Sequence, residues 1–170
     1  MSTSVEIGQE ALSWVQTRAF NMGFELRDGD GVVATLGFRS LFSSRAVAAC
    51  GEDRWAFRRV GLWRRRTTVR VEGSDTELAV FYPSLWARGG VVDLLDGRHY
   101  RVATNLWLSR MAMADEGGVS LFTMKVSGIF RLRATVSFPP LANRVAELPW
   151  LVLLCCYLIV ILQMDRAGGG

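Results

Sequence analysis

Lysine and histidine are almost missing from this 170-residue chain, which has one of each, Lys125 and His99. Basic charge is therefore nearly all arginine, 19 residues against 16 acids, for a formal net charge of +4. So small an excess does not designate an anionic partner; only a local cluster can. A single histidine leaves no second imidazole for a Ser/His/Asp or Cys/His site beyond His99 itself, which reads as a surface residue between Arg98 and Arg101. Three cysteines, two of them adjacent (Cys155, Cys156), cannot form a paired disulfide framework and supply too few soft ligands for structural zinc. There is no glycine-rich string of the P-loop or dinucleotide kind. Asp28 and Asp30 lack the third ligand and later glutamate of a calcium loop, so they read as a turn. An enzyme is the least supported class, and no catalytic residue, metal or cofactor is expected. Met1–Glu10 has neither a positive residue nor an apolar run, so no secretory signal is read and the expected location is cytoplasmic.

What is present is apolar and aromatic in quantity, 50% and 11%, which excludes wholesale disorder. The length suits one domain with a full core. Most of the chain reads as short strands between turns. In the segment Ile129–Phe138, Phe130, Leu132, Ala134, Val136 and Phe138 share one face and Arg131, Arg133, Thr135 and Ser137 the other. Val32, Ala34, Leu36 and Phe38 alternate likewise, as do Trp55 and Phe57 against Arg54 and Arg58. Asp96-Gly97 between two apolar runs is a strong hairpin signal. Asp28–Gly31, Gly73–Asp75 and Asp115–Gly118 mark further turns, the last following a strand expected over Leu106–Ala114. The count comes to about twelve strands, spaced as in a sandwich or barrel.

From Leu148 to Leu162 the sequence LPWLVLLCCYLIVIL carries no charge. As a helix these 15 residues would be about 22 Å long, short of a bilayer core of about 30 Å. Two readings stand: a buried core helix, or a span anchoring the protein by its tail. A closed sheet of about twelve strands is too wide for its own side chains to fill, and a helix about 10–12 Å across would fit inside it. Such a plug must be apolar all round, as this run is. The expected fold is therefore mostly β, an antiparallel barrel of about twelve strands enclosing a C-terminal helix. It is read as one domain over residues 1–170, with strands at about 12–138, the helix at about 142–164 and a flexible tail at 165–170. Leu151, Leu154, Tyr157, Leu158 and Ile161 are the expected central-helix contacts.

With WAFRRVG at Trp55–Gly61, VVDLLDGRHYRV at Val91–Val102, SGIFRLRATVSFPP at Ser127–Pro140 and the terminal apolar run, the chain resembles the tubby-like superfamily. It is most similar in layout to the LURP-one-related and phospholipid-scramblase-like branch. The resemblance spans roughly Trp14–Leu162 and implies a twelve-stranded barrel around a hydrophobic C-terminal helix. It also implies lipid contact, since tubby domains bind phosphoinositides through basic surface residues and scramblases are membrane-associated.

The one dense charge cluster is Arg54–Arg70, with seven arginines and no acid in 17 positions. It reads as a hairpin with the loop Gly61–Arg66 between strands Arg54–Val60 and Thr67–Glu72. Guanidinium forks suit phosphate oxygens, and tryptophan favours the membrane interface. Arg58, Arg64, Arg65, Arg66 and Arg70 are thus the candidate lipid- or anion-binding residues, with Trp63 and Leu62 as the interface anchor. The expected function is a non-enzymatic module binding anionic lipid or a membrane surface. The alternatives are a tail-anchored protein using Leu148–Leu162 and a soluble structural or polyanion-binding barrel. An arginine-rich outer strand face that merely keeps the sheet soluble fits the same residues. Nucleic acid is not expected as a partner, because the strand aromatics point inward and offer no stacking platform.

Overall fold

The computed structural model describes residues 11–17, 22–40, 43–85, 88–128, 131–140 and 145–168. Twelve strands run in chain order: β1 (Leu12–Gln16), β2 (Gly23–Asp28), β3 (Gly31–Phe38), β4 (Arg45–Cys50), β5 (Asp53–Val60), β6 (Arg66–Val71), β7 (Glu77–Pro83), β8 (Gly89–Leu94), β9 (His99–Thr104), β10 (Arg110–Ala114), β11 (Ser120–Ser127) and β12 (Arg133–Ser137). Each pairs antiparallel with its sequence neighbours, and β1 pairs with β12 (Trp14 opposite Ala134), closing the barrel. The helix α1 (Leu148–Gly168) follows β12 and runs inside.

Alternation sets the inside. Leu132, Ala134 and Val136 are buried while Arg133, Thr135 and Ser137 are exposed; Phe130 lies outside the described residues. The outward positions are mixed: Glu25, Thr35, Arg54, Arg101, Thr123, Lys125 and Thr135 are polar, and Val47, Ala56, Val80, Tyr82 and Val91 are apolar. At Asp96-Gly97 the chain reverses with Gly97 at φ 90°, and the Leu94 and Arg98 backbones pair across the turn at 2.9 Å.

Helix α1 has no polar stripe: Trp150 to Ile161 are all buried. It lies closest to β3, β4 and β5. Side-chain size explains the offset. The inward positions of β3 and β4 include Ala34, Ala46 and Ala48, which let the helix approach. Across the barrel, Phe81, Tyr100, Met111, Met113 and Phe122 reach in and narrow the wider gap. Burial pushes the Cys155 and Cys156 thiols up, so both stay protonated and pack as small hydrophobes.

Several boundaries differ from the sequence expectation. The strand expected over Leu106–Ala114 is reduced to β10, because Asn105 Oδ1 accepts the Ser109 and Arg110 amides at 2.9 and 3.1 Å and folds 105–109 into a loop. The helix begins at Leu148 rather than near 142, with Pro149 in its first turn, where a missing N–H costs nothing. It then continues through Asp165 and Arg166, which were expected in a flexible tail; residues 141–144, 169 and 170 lie outside the described residues.

Where α1 enters the barrel, Arg98 on the β8–β9 turn donates to Glu147 and, at 2.8 Å, to Asp96. Tyr100 donates to Glu147 at 3.3 Å. Burial pushes the Glu147 carboxyl up, but the Arg98 hydrogen bond and charge outweigh it, and the group titrates below its usual range. Burial and the Glu147 charge push Tyr100 up to about 12. A carboxylate held below its unfolded value, about 4.3, stabilises the fold above that pH and loses the effect as pH falls through the folded value. Glu147→Gln is therefore expected to be less stable than wild type at pH 7, with the gap narrowing in acid as pH falls through the folded value. Urea unfolding at pH 7 and in acid checks this; a gap that does not narrow would assign the effect to packing.

Candidate functional site

In an all-antiparallel meander, connections after odd strands emerge at one end of the barrel and those after even strands at the other. The two ends differ in chemistry. The even-strand turns hold Asp28 and Asp30, Glu52 and Asp53, Glu72 and Asp75, Asp96, and Asp115 and Glu116, nine of the chain's 16 acids. This acidic end is the base, where α1 enters beside Arg98. At the other end, the mouth, no odd-strand connection contains an acid in its sequence.

The mouth instead presents apolar tips among arginines. In the β5–β6 connection Leu62 and Trp63 are 90% and 97% exposed, followed by Arg64, Arg65 and Arg66. The β7–β8 connection exposes Leu85 (93%) ahead of Arg88, and the β9–β10 connection exposes Trp107 (78%) ahead of Arg110. These three hairpins are neighbours in the sheet. Arg39 and Arg45, flanking the β3–β4 connection, are exposed at the same end.

The sequence candidates divide accordingly. Arg64, Arg65 and Arg66 come together with Leu62 and Trp63 at the mouth, and Arg58 is exposed on the outer wall, opposite Arg45 across the β4–β5 pair. Arg70 stands apart. It sits toward the base end of β6, where its Nη2 is 3.0 Å from Glu77 and its Nη1 is 4.0 Å from Asp75. Leu151, Leu154, Tyr157, Leu158 and Ile161 all lie inside the barrel. The Tyr157 ring stacks on Phe38 with centroids 5.5 Å apart, its hydroxyl donates to the Ser44 carbonyl at 2.6 Å, and burial pushes its pKa up.

Arg59, Leu85 and Trp107 were not singled out from the sequence. Arg59 has the parity of Trp55 and Phe57 and so points inward, at the mouth. There it meets Asp165 through two hydrogen bonds, Nη1 to Oδ2 at 2.6 Å and Nη2 to Oδ1 at 3.0 Å. Arg65 Nη1 stands 3.6 Å from the same carboxylate, and Arg166 donates to the Leu106 carbonyl at 2.5 Å. These contacts fasten the outgoing end of α1 to two mouth loops. For Leu85 and Trp107 a signal exists: Leu-Trp recurs at 62–63, 85–86 and 106–107, each time after an odd strand. Trp86 lies outside the described residues.

Because α1 leans toward β3–β5, the opposite side of the mouth is open. A cleft of about 490 Å³ lies there, between the last turns of α1 and strands β6–β10. Leu158, Ile161, Phe81 and Met111 line its depth, and Arg65, Arg66 and Arg88 its edge. Gly89 lines it too, at φ 123°. Leu108, also on the lining, is buried with φ 53°, a left-handed backbone that leucine rarely adopts. Among the described residues, no three His, Cys, Asp or Glu side chains gather as a metal site.

The chain is thus a closed twelve-stranded antiparallel barrel around its own C-terminal helix, with an acidic base and an arginine- and tryptophan-rich mouth. Comparison with protein-family models, curated proteins and solved structures finds no match.

Proposed function

We propose that this protein is a non-enzymatic, tubby-like module that attaches end-on to anionic membrane surfaces, mouth first. The observation that carries the reading is the polarity of the barrel: exposed Leu62, Trp63, Leu85 and Trp107 stand among arginines at one end, and the acidic turns stand at the other. Tryptophan and leucine tips suit the interfacial layer, and arginines suit the phosphates beneath them. The acidic base is repelled by the same surface, so charge favours one orientation. The layout of twelve strands around an apolar C-terminal helix supports the tubby-like assignment.

The five-arginine set of the sequence reading narrows in this proposal. Arg64, Arg65 and Arg66 carry the attachment with Trp63, Arg58 adds to the field from the wall, and Arg70 serves its own ion pairs. α1 is long and apolar enough to cross a bilayer, which is what a tail anchor needs. Its burial inside the sheet supports peripheral attachment instead.

Flotation with liposomes of neutral phosphatidylcholine, with and without 30% phosphatidylserine, tests the proposal. The protein is expected to float only with the anionic lipid and to be released by salt. Each basic group near such a surface contributes about 1 kcal/mol, so replacing Arg64, Arg65 and Arg66 by alanine is expected to weaken binding about a hundredfold. Unchanged flotation of the triple variant would reject electrostatic attachment at the mouth. Retention after alkaline carbonate would favour a spanning helix.

A further inference from the structure

We infer that the mouth cleft is a binding site for a single acyl chain carrying an anionic head group. The inference rests on the membrane-facing mouth proposed above, which would bring acyl chains to the opening; the cleft shares Arg65 and Arg66 with that mouth, while Arg88 and the apolar depth belong to the cleft alone.

The shape follows from the core. Alanines on β3 and β4 draw α1 to one side, so the barrel is not filled on the other. Toward the base the gap is closed by Tyr100, Met113 and Phe122; toward the mouth it stays open as the cleft. Its volume, about 490 Å³, falls in the range of small-molecule sites. The walls are apolar through their depth, with Phe81, Met111, Leu158 and Ile161 from three elements facing one another. A wet cleft with such walls is unfavourable, and a flexible methylene chain can follow its contour where a rigid ring would not.

The edge supplies the charge complementarity. Arg59 and Arg166 are committed, to Asp165 and to the Leu106 carbonyl. Arg66 and Arg88 have no acidic partner among the described residues and stand at the opening. A chain lying along Leu158 and Ile161 would bring its carboxylate or phosphate to these two guanidinium groups, which bind either through parallel hydrogen bonds. The loop that forms one lip is held in shape by Asn105, by the Arg166 contact and by the buried, left-handed Leu108. The lip is thus set before a ligand arrives, which lowers the ordering that binding requires.

Two sources offer this chemistry, a free fatty acid and one chain of a bilayer phospholipid, and the experiment separates them. The full chain is titrated without vesicles with cis-parinaric acid, whose fluorescence rises in apolar surroundings, and in parallel with its methyl ester. Saturable binding at one site is expected, at least tenfold weaker for the uncharged ester. Arg88→Glu is expected to weaken acid binding at least tenfold. Leu162→Trp, which adds bulk at the lining, is expected to abolish it. Thermal unfolding confirms that both variants fold. In the second arm, protein recovered from phosphatidylserine vesicles is examined by native mass spectrometry. One retained phospholipid per chain, lost in Leu162→Trp, would identify the bilayer as the source. No binding in either arm, or binding that neither variant alters, would overturn the site. Flotation of Leu162→Trp, which keeps every mouth arginine, is a separate readout, so the cleft can fail while membrane attachment holds, and the reverse.

Discussion

Leu154→Asp is expected to yield no folded barrel. Leu154 is fully buried in the middle of α1, and the neighbouring helix positions Leu151 to Tyr157 are buried to the same degree, so a carboxylate there meets no water and no cation. Even after relaxation, an unpaired buried charge costs several kcal/mol, comparable with the whole stability of a domain, about 5–15 kcal/mol. Leu154→Ala removes only volume and is expected to cost about 2–5 kcal/mol, or roughly 5–20 °C in Tm for a chain of this size. Circular dichroism and thermal unfolding without detergent distinguish the outcomes. A soluble, cooperatively folding Leu154→Asp protein would mean that α1 is not the core. A helix packed only against lipid would leave the detergent-free barrel indifferent to either change.

The second large effect is expected at Gly89→Ala. Gly89 has φ 123°, and a Cβ on it would lie 1.9 Å from the Val102 carbonyl oxygen and 2.7 Å from its carbon, both backbone. No rotamer relieves such a contact, so β8 must shift from β9. Strained backbone and overpacking each cost about 1–3 kcal/mol, and together they predict a loss of about 2–5 kcal/mol. Gly37→Ala is the control, since Gly37 in β3 has nothing within 4 Å of its would-be Cβ. That change is expected to stay within about 0.5 kcal/mol. Equal thermal shifts for the two variants would show that the close approach at Gly89 can yield. Because Gly89 also lines the cleft, the variant is expected to distort that opening as well.

The architecture was legible because two independent patterns required each other. Strict alternation at residues 131–138, glycine turns at 28–31 and 96–97, and a helix apolar on every side have one common solution, a sheet closed around a plug. The strand count followed from the turns. The boundaries that moved did so where a side chain competes with the backbone ladder: Asn105 captures two amides and takes Leu106–Ser109 out of the expected strand. The site was legible only locally. A run of arginines identifies Arg64–Arg66, but run length alone carried Arg70 into the set, and only the sheet reveals that it stands near the base beside Glu77. Conversely, Leu85 and Trp107 are far from Trp63 in sequence and become its neighbours only when alternate hairpins are stacked at one end. Arg59 was hidden by its company. Its parity was inward, yet arginine is not read as a core-facing residue until a partner such as Asp165, 106 positions later, is found.

The order of the elements along the chain also constrains how the molecule can be made. All twelve strands precede α1, so a ribosome delivers the wall before the filling. Hairpins between adjacent strands can pair as they emerge, but their inner faces, with Phe57, Met113 and Val136 among them, have nothing to cover them. A finished cylinder offers no entrance for Trp150 and Tyr157, so the sheet must wrap around the helix rather than receive it. The β1–β12 seam, joining residues more than a hundred positions apart, is then the natural last closure. Until it forms, the nascent sheet presents two open edges and an apolar concave face, the kind of intermediate that aggregates or recruits chaperones. A chain interrupted before Leu148 would keep every strand and still lack the surface they fold onto.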